Sequence, residues 1–123
     1  MKDNELTGKV IGCAIEVHRN LGPGLLESTY ERCLSFELLS NNIRHEVQRE
    51  LPVDYKGIKL DCRYRVDLMV EGKLIVEIKS VEKIIPIHEA QILTYMKLAD
   101  ISVGLLINFN VTRLKDGIKR FVF

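Results

Sequence analysis

The chain has 123 residues, 46% of them hydrophobic, and 18 basic residues against 17 acidic ones give a net charge of +1. This length predicts one domain, residues 1–123, able to bury about two-thirds of the surface of its unfolded chain. The near-neutral charge excludes a global basic signature for nucleic acid or membrane, so any polyanion site must be local.

Cysteine usage and the absence of long apolar runs indicate a soluble cytoplasmic protein. Cys13, Cys33 and Cys62 are odd in number and widely spaced, which fits neither a disulfide framework nor a zinc site. No apolar run approaches the roughly 20 residues of a membrane span. Residues 1–7 are polar and acidic rather than signal-like. We therefore expect no membrane partner.

Helical patterns open the chain. From residue 6, apolar residues recur at helical spacing until "NLGPG" ends the pattern, namely Val10, Ala14, Val17 and Leu21. A second helical pattern begins near Leu25 and fades in "SNN" at residues 40–42. Two N-terminal helices are predicted.

The period changes to two after residue 42, which predicts strands. Residues 43–55 alternate in polarity, and Pro52 among them indicates an edge strand or a bulge. After the turn signal "YKGIK", a second alternating run starts at Ile58 and ends at Glu71. A third strand follows over residues 74–79.

The register between the second and third strands can be derived from the loop. Directly opposed residues of an antiparallel pair point to the same face, so the apolar faces of the two strands join when opposed residue numbers have an even sum. A two-residue turn gives an odd sum. A three-residue loop, residues 71–73, gives a sum of 144 and matches the Gly-containing hairpin loop with a bulge. This register sets Asp67 opposite Glu77.

The last third of the chain predicts a helix, a buried strand and a basic tail. After Pro86, "IHEAQILTYMKLA" is typical of a helix, and "ISVGLLINF" predicts a buried strand reached by a crossover. In the tail, "KDG" separates two β-like runs, which predicts a short β-hairpin. The fold class is thus α/β, a mixed central sheet flanked by helices in the order ααβββαβ plus the C-terminal β-hairpin.

Two acids and a lysine share one face of the hairpin. In the derived register the Cβ atoms of Asp67 and Glu77 lie roughly 5 Å apart, with Lys79 two residues along. Like charges this close are unfavourable unless a cation lies between them, and Mg²⁺ suits one or two carboxylates completed by water and phosphate oxygens. The alternative is a solvent-facing hairpin in which Lys79 neutralises the acids.

An Asp on one strand and Glu-x-Lys on the next resemble the PD-(D/E)XK nuclease superfamily, although Val66 replaces the proline of its name. "GLLESTY", residues 24–30, resembles the signature of the GxxExxY proteins, a group assigned to that superfamily. "QILTY", residues 91–95, is similar to the QxxxY motif of the RecB-like branch. The resemblance implies a restriction-endonuclease-like core.

The resemblance also implies roles for individual residues. Asp67, Glu77, Glu27 and the carbonyl of Ile78 would hold Mg²⁺, for which Mn²⁺ can substitute. Lys79 would act on the phosphoryl transition state. Gln91 would belong to the catalytic group, and Tyr95 would contact the substrate backbone. Apart from the resemblance, the positive charge of the basic tail makes four more residues candidates for contact with phosphate, namely Arg113, Lys115, Lys119 and Arg120.

Several of these residues have structural alternatives. Glu27 suits an exposed first helical turn, and Glu31 could replace it as ligand. Gln91 could make a local hydrogen bond, the ring of Tyr95 could serve in packing rather than in substrate contact, and the basic tail could be a solvated hairpin. Tyr30 and His18 are expected in the core rather than in catalysis.

The function that follows is a metal-dependent nuclease that cuts nucleic acid, DNA in preference to RNA, with metal-activated water. A homodimer is compatible with the sequence. The competing interpretation is a catalytically silent binding or assembly module with the same fold, which near-neutral charge favours. A third interpretation is a structural domain that binds no metal.

Overall fold

The computed structural model describes residues 3–123, in which three α-helices flank a five-stranded sheet. The helices are α1 (Asp3–Leu21), α2 (Glu27–Ser40) and α3 (Pro86–Ala99). The strands are β1 (His45–Tyr55), β2 (Ile58–Val70), β3 (Leu74–Lys79), β4 (Val103–Asn108) and β5 (Ile118–Val122). Met1 and Lys2, at the polar start of the sequence, lie outside the described residues.

The sheet is mixed, and its strands follow chain order from β1 to β5. Neighbouring strands are antiparallel except β3 and β4, which are parallel because α3 crosses between them. The predicted crossover is therefore confirmed. The element order and the helix-flanked mixed sheet confirm the predicted fold class, which fits a restriction-endonuclease-like fold.

Both faces of the central strands are covered by helices. On one face, α1 and α2 pack on alternate residues of β3, such as Val76 and Ile78; on the other, α3 packs on Ile75 and Leu106. Burial on both faces explains why β4 has a nearly continuous apolar sequence. In the described part of the chain, none of the helices has the length and apolarity needed to span a bilayer.

The hairpin of β1 and β2 extends beyond the covered part of the sheet. Residues 58–65 of β2 are exposed without interruption, and β1 is the edge strand. The register shifts between Leu51 and Val53, around Pro52, so the predicted edge and bulge are both confirmed. We call residues 49–65, the outer part of this hairpin, the arm.

The C-terminal tail differs from the predicted hairpin. The run before "KDG" forms no strand in the structure; a 3₁₀ turn over Leu114–Gly117 leads into β5, which pairs with β4 instead. Burial explains the difference, because Leu114 packs into the α1 and α2 side of the core together with Val111. This packing outweighs the local β-propensity of the run.

Candidate active site

The loop between β2 and β3 has the predicted length and register. Residues 71–73 connect strands that pair Leu68 with Val76 and Val70 with Leu74, each pair summing to 144. Glu71 and Gly72 have positive φ angles of 53° and 64°, which turn the chain tightly. The ladder of hydrogen bonds reaches Leu68 and Val76, directly before the two acids.

Beyond that point, the carboxylates themselves connect the two strands. The amide of Asp67 donates a hydrogen bond of 2.7 Å to Oε2 of Glu77. In return, Oδ2 of Asp67 accepts one of 2.8 Å from the amide of Ile78. The acids therefore converge as the register predicted, and each is held by backbone of the neighbouring strand.

Burial makes this carboxylate pair electrostatically unfavourable. Glu77 is only 4% exposed, and burial, followed by the negative charge of Asp67, raises the pKa of Glu77 to about 8. Burial also raises the pKa of Asp67, although its hydrogen bond from Ile78 works in the opposite direction. At neutral pH the pair therefore favours binding a proton or a cation.

Gln48, on β1, ties the pair to a third acid on α2. Its Nε2 donates to Oδ1 of Asp67 over 3.0 Å and to Oε2 of Glu31 over 2.8 Å. Burial and the charge of Asp67 raise the pKa of Glu31. Gln48 belongs to none of the sequence motifs. A register for β1 and β2 that includes the shift at Pro52 is needed to find it, because Val47 pairs with Leu68 and thus places Gln48 opposite Asp67.

The start of α2 is fastened to the end of β3. The amide of Ser80 donates to Oε2 of Glu27 over 3.3 Å, and the hydroxyl of Ser80 donates to the carbonyl of Leu25 over 2.6 Å. Burial is the main cause of the raised pKa of Asp67, and the charge of Glu27 adds to it. Glu27 is exposed but lies close enough to act on the pair.

The helix α3 completes the site from the other side. Nζ of Lys79 donates to Oε1 of Gln91 over 3.4 Å, and Nε2 of Gln91 donates to the hydroxyl of Tyr95 over 3.0 Å. Burial, then the charge of Glu77, raises the pKa of Tyr95. The helical spacing of Gln91 and Tyr95 places both residues on the side of α3 that lines one groove with Lys79, and Gln91 alone of the two bonds to Lys79.

A model of the PD-(D/E)XK nuclease superfamily matches residues 4–121 of the chain. The chain belongs to this superfamily. No curated protein and no solved structure gives a significant match. Membership of the GxxExxY group and of the RecB-like branch stays a prediction.

In this member of the superfamily, the "GLLESTY" segment shapes the approach to Glu27. Gly24 has a φ of 98°, which favours glycine. The buried Tyr30 donates from its hydroxyl to the carbonyl of Gly22 over 2.6 Å and accepts from the amide of Leu25 over 3.1 Å. Tyr30 is therefore a core residue that fixes the loop before Glu27, as expected.

The basic tail does not form one surface. Lys119 reaches Glu89 on α3 over 2.9 Å, whereas Arg120 donates to Oδ1 of Asn4 on α1 over 2.8 Å. Adjacent strand residues point to opposite faces, so these two cations are separated by the sheet. Arg113 and Lys115 are exposed beside the 3₁₀ turn. His18 is buried, as expected, and contacts the carbonyl of Val111 through Nε2.

Asn108 is a further residue near the site that belongs to none of the sequence motifs. It is 2% exposed at the end of β4; its Nδ2 donates to the carbonyl of Val81 over 2.9 Å, and its Oδ1 accepts from the Val81 amide over 3.1 Å. These bonds hold the chain two residues after Lys79. The available signal was a single amide at the end of an otherwise apolar strand.

The donor set fits a magnesium-like ion. Within residues 3–123, no three His, Cys, Asp or Glu side chains are grouped as a metal site. Mg²⁺, however, requires only one or two protein carboxylates because water and phosphate complete its shell. Asp67 and Glu77 would supply hard oxygen ligands, and a cation would relieve their unfavourable proximity.

Proposed function

We propose that this protein is a metal-dependent nuclease that hydrolyses phosphodiester bonds of nucleic acid, DNA in preference to RNA. The observation that carries the proposal is the buried pair of Asp67 and Glu77, each fixed by backbone of the other strand, with Lys79 two residues along. Membership of the PD-(D/E)XK superfamily supports the same chemistry. Cytoplasmic location and homodimer formation stay predictions.

Asp67 and Glu77 are the proposed ligands of Mg²⁺ or Mn²⁺, together with the Ile78 carbonyl and, directly or through water, Glu27. The bound ion supplies Lewis-acid activation of water and offsets phosphate charge. The chain's own contribution is rigidity, because the amides of Asp67 and Ile78 fix the acids before substrate arrives. Gln48, itself bonded to Glu31 on α2, holds Asp67 through a hydrogen bond.

Lys79 provides the positive charge for the phosphoryl group in this proposal. Its ammonium lies at the end of a chain of hydrogen bonds through Gln91 to Tyr95, which restricts where the charge points. A fixed cation directed at developing negative charge stabilises a transition state more than a mobile one. Gln91 is therefore a positioning residue for Lys79, and Tyr95 supports Gln91.

The basic tail is proposed to contact the substrate backbone on either side of the site. The pair of Lys119 and Glu89 is a partly exposed ion pair, which contributes little, so a phosphate can replace Glu89. Arg120 has a neutral partner in Asn4 and keeps its charge available. Arg113 and Lys115 are exposed and can bind phosphate oxygens.

The test is a cleavage assay on single- and double-stranded DNA and RNA with Mg²⁺, Mn²⁺ or a chelator. We expect cutting only with metal, and none by Glu77→Ala. The matched control is Glu82→Ala, which removes an exposed acid after β3 and should cut like the wild type. Cleavage by Glu77→Ala at the wild-type rate would refute the proposed site.

A second candidate function is a catalytically silent nucleic-acid-binding or assembly module. It is favoured by the raised pKa of Glu77, about 8 because of burial and Asp67, since a proton on Glu77 at neutral pH satisfies the pair without metal. This module would bind nucleic acid with no cleavage at any metal concentration. Mn²⁺ titration calorimetry beside the cleavage assay separates the two functions.

A further inference from the structure

A groove with a volume of about 640 Å³ runs beside Lys79, between α3 and the arm. Such a volume is typical of sites that bind small organic groups. The α3 side of the groove presents residues three or four positions apart, and the arm closes the opposite side. The lining includes Val53, Tyr64, Gln91, Thr94, Tyr95 and Leu98.

An open aromatic surface lies in this groove. Tyr64, on the arm, is 47% exposed, and its ring centroid lies 6.3 Å from that of Tyr95 with the planes tilted by 51°. Apolar side chains such as Val53 and Leu98 also line the groove, and its polar groups on the α3 side are the imidazole of His88, the amide of Gln91 and the hydroxyl of Thr94. A flat ring with a polar edge is the ligand that these groups match.

We propose that the groove binds one unpaired nucleobase of the substrate, stacked on Tyr64, while the adjoining phosphate lies at Lys79. This inference rests on the proposed nuclease function and specifies its substrate as nucleic acid with a single-stranded segment at the cleavage position. Tyr64 becomes a specificity-determining residue that none of the sequence motifs contains.

The charges of the groove identify its occupant. Of the described residues that line it, Lys79 carries the positive charge, and none is acidic. A phosphate beside an apolar ring matches this arrangement, whereas an apolar peptide offers no anionic group to Lys79, whose charge otherwise acts on Asp67 and Glu77. Gln91 and Thr94 supply hydrogen-bonding groups for a base edge.

The position of the groove explains why the base must be unpaired. A base within a duplex is stacked on both faces and bonded along its edge, so it reaches a side groove only after unstacking and unpairing. A single strand avoids this cost and stacks on tyrosine instead. We therefore expect single strands to bind more tightly than the corresponding duplex.

The test measures binding apart from cleavage, in the Glu77→Gln protein without added metal. Short single strands and duplexes carry a fluorescent adenine analogue whose emission is quenched by stacking. Adding Tyr64→Ala should weaken single-strand binding about 10-fold and remove the quenching, whereas Tyr64→Phe should retain both. Tyr55→Ala, which removes an exposed aromatic near the arm tip, is the control and should bind like its parent.

The outcomes separate this inference from the proposed function. Equal affinity for single strand and duplex, or binding and quenching unchanged by Tyr64→Ala, would overturn the base-binding groove even if the wild type cuts nucleic acid. Tyr64-dependent binding by a wild-type protein that never cuts would instead support the groove and refute the nuclease.

Discussion

At the scale of single residues, the backbone holds the acids in place while burial disfavours their charge. The Glu77 carboxylate accepts a hydrogen bond from the amide of Asp67, and the Asp67 carboxylate accepts one from the amide of Ile78. The geometry of the pair is therefore set by folding rather than by a ligand. Lys79 lies two residues further along β3 on the same face, and its charge lowers the pKa of Glu77 less than burial and Asp67 raise it. The folded chain therefore holds the two acids where a cation or a proton would relieve their repulsion.

The pH dependence of stability tests this electrostatic description. Because burial and Asp67 raise the pKa of Glu77 from 4.5 to about 8, the folded protein keeps a proton that the unfolded chain releases. Stability is therefore full below the ordinary glutamate pKa and falls as pH rises toward 8, by at most about 1.4 kcal/mol per pH unit for one proton. Urea unfolding of the chelated protein across this range measures the fall.

Glu77→Gln is the matched variant for this measurement. It removes the titrating group while keeping the shape of the side chain, so its stability should fall less steeply over the same pH range. Asp67 and Glu31, whose pKa values burial also raises, contribute to any remaining slope. A pH profile of Glu77→Gln that runs parallel to that of the wild type would show that Glu77 is not the titrating group.

At the scale of elements, the segment that follows β3 is held from several sides. Ser80 bonds to the start of α2, Val81 bonds to Asn108 at the end of β4, and the amide of Phe109 donates to the carbonyl of Lys79 over 2.9 Å. The direction of Lys79 thus depends on α2 and β4 as well as on its own strand.

The close approach of the C-terminal turn to β4 gives a prediction about stability. A β-carbon at Gly117 would overlap the carbonyl oxygen of Asn108, so Gly117→Ala should lower the free energy of unfolding by about 1–3 kcal/mol. Gly12→Ala is the control, because its β-carbon meets open space on α1 and should stabilise by up to about 1 kcal/mol. Urea unfolding measures both; an equal effect of the two substitutions would contradict the close packing.

The same elements show why the sequence predicts part of this site. Local signals suffice to predict β1 to β3 and the convergence of Asp67 and Glu77. These signals are the period of polarity, Pro52 and the loop at residues 71–73. Gln48 bonds to a residue 19 positions away in the sequence, and Asn108 bonds to one 27 positions away. No local sequence pattern identifies such distant partners. The tail was mispredicted in part because burial of its apolar residues outweighed the turn signal.

At the scale of the whole molecule, a chain with a net charge of +1 must attract a polyanion locally. The bound ion, Lys79 and the exposed cations near the 3₁₀ turn supply that local charge in the proposed function. Metal binding should consequently be coupled to the stability of the whole fold, because only the folded chain brings the two acids together.

Metal should therefore raise the thermal unfolding midpoint of the wild type. At a free metal concentration 100 times the Kd, the expected gain is about 2.7 kcal/mol. Asp67→Ala and Glu77→Ala should lose this response while remaining folded without metal, since each removes one of two repelling charges. Glu82→Ala should respond like the wild type, and an undiminished metal response in both site variants would place the ion elsewhere.

The central claim is that the carboxylate pair and Lys79 form a phosphodiesterase site, and single-turnover cleavage with excess enzyme and saturating Mn²⁺ tests it most directly. Lys79→Ala and Lys79→Arg should keep the fold and the metal but lose about 10²-fold or more in rate, because a planar guanidinium does not replace a compact ammonium. Lys83→Ala, which removes an exposed cation four residues along, should cut at the wild-type rate. A wild type that cuts beside a Lys79→Ala variant that cuts equally fast would contradict the claim.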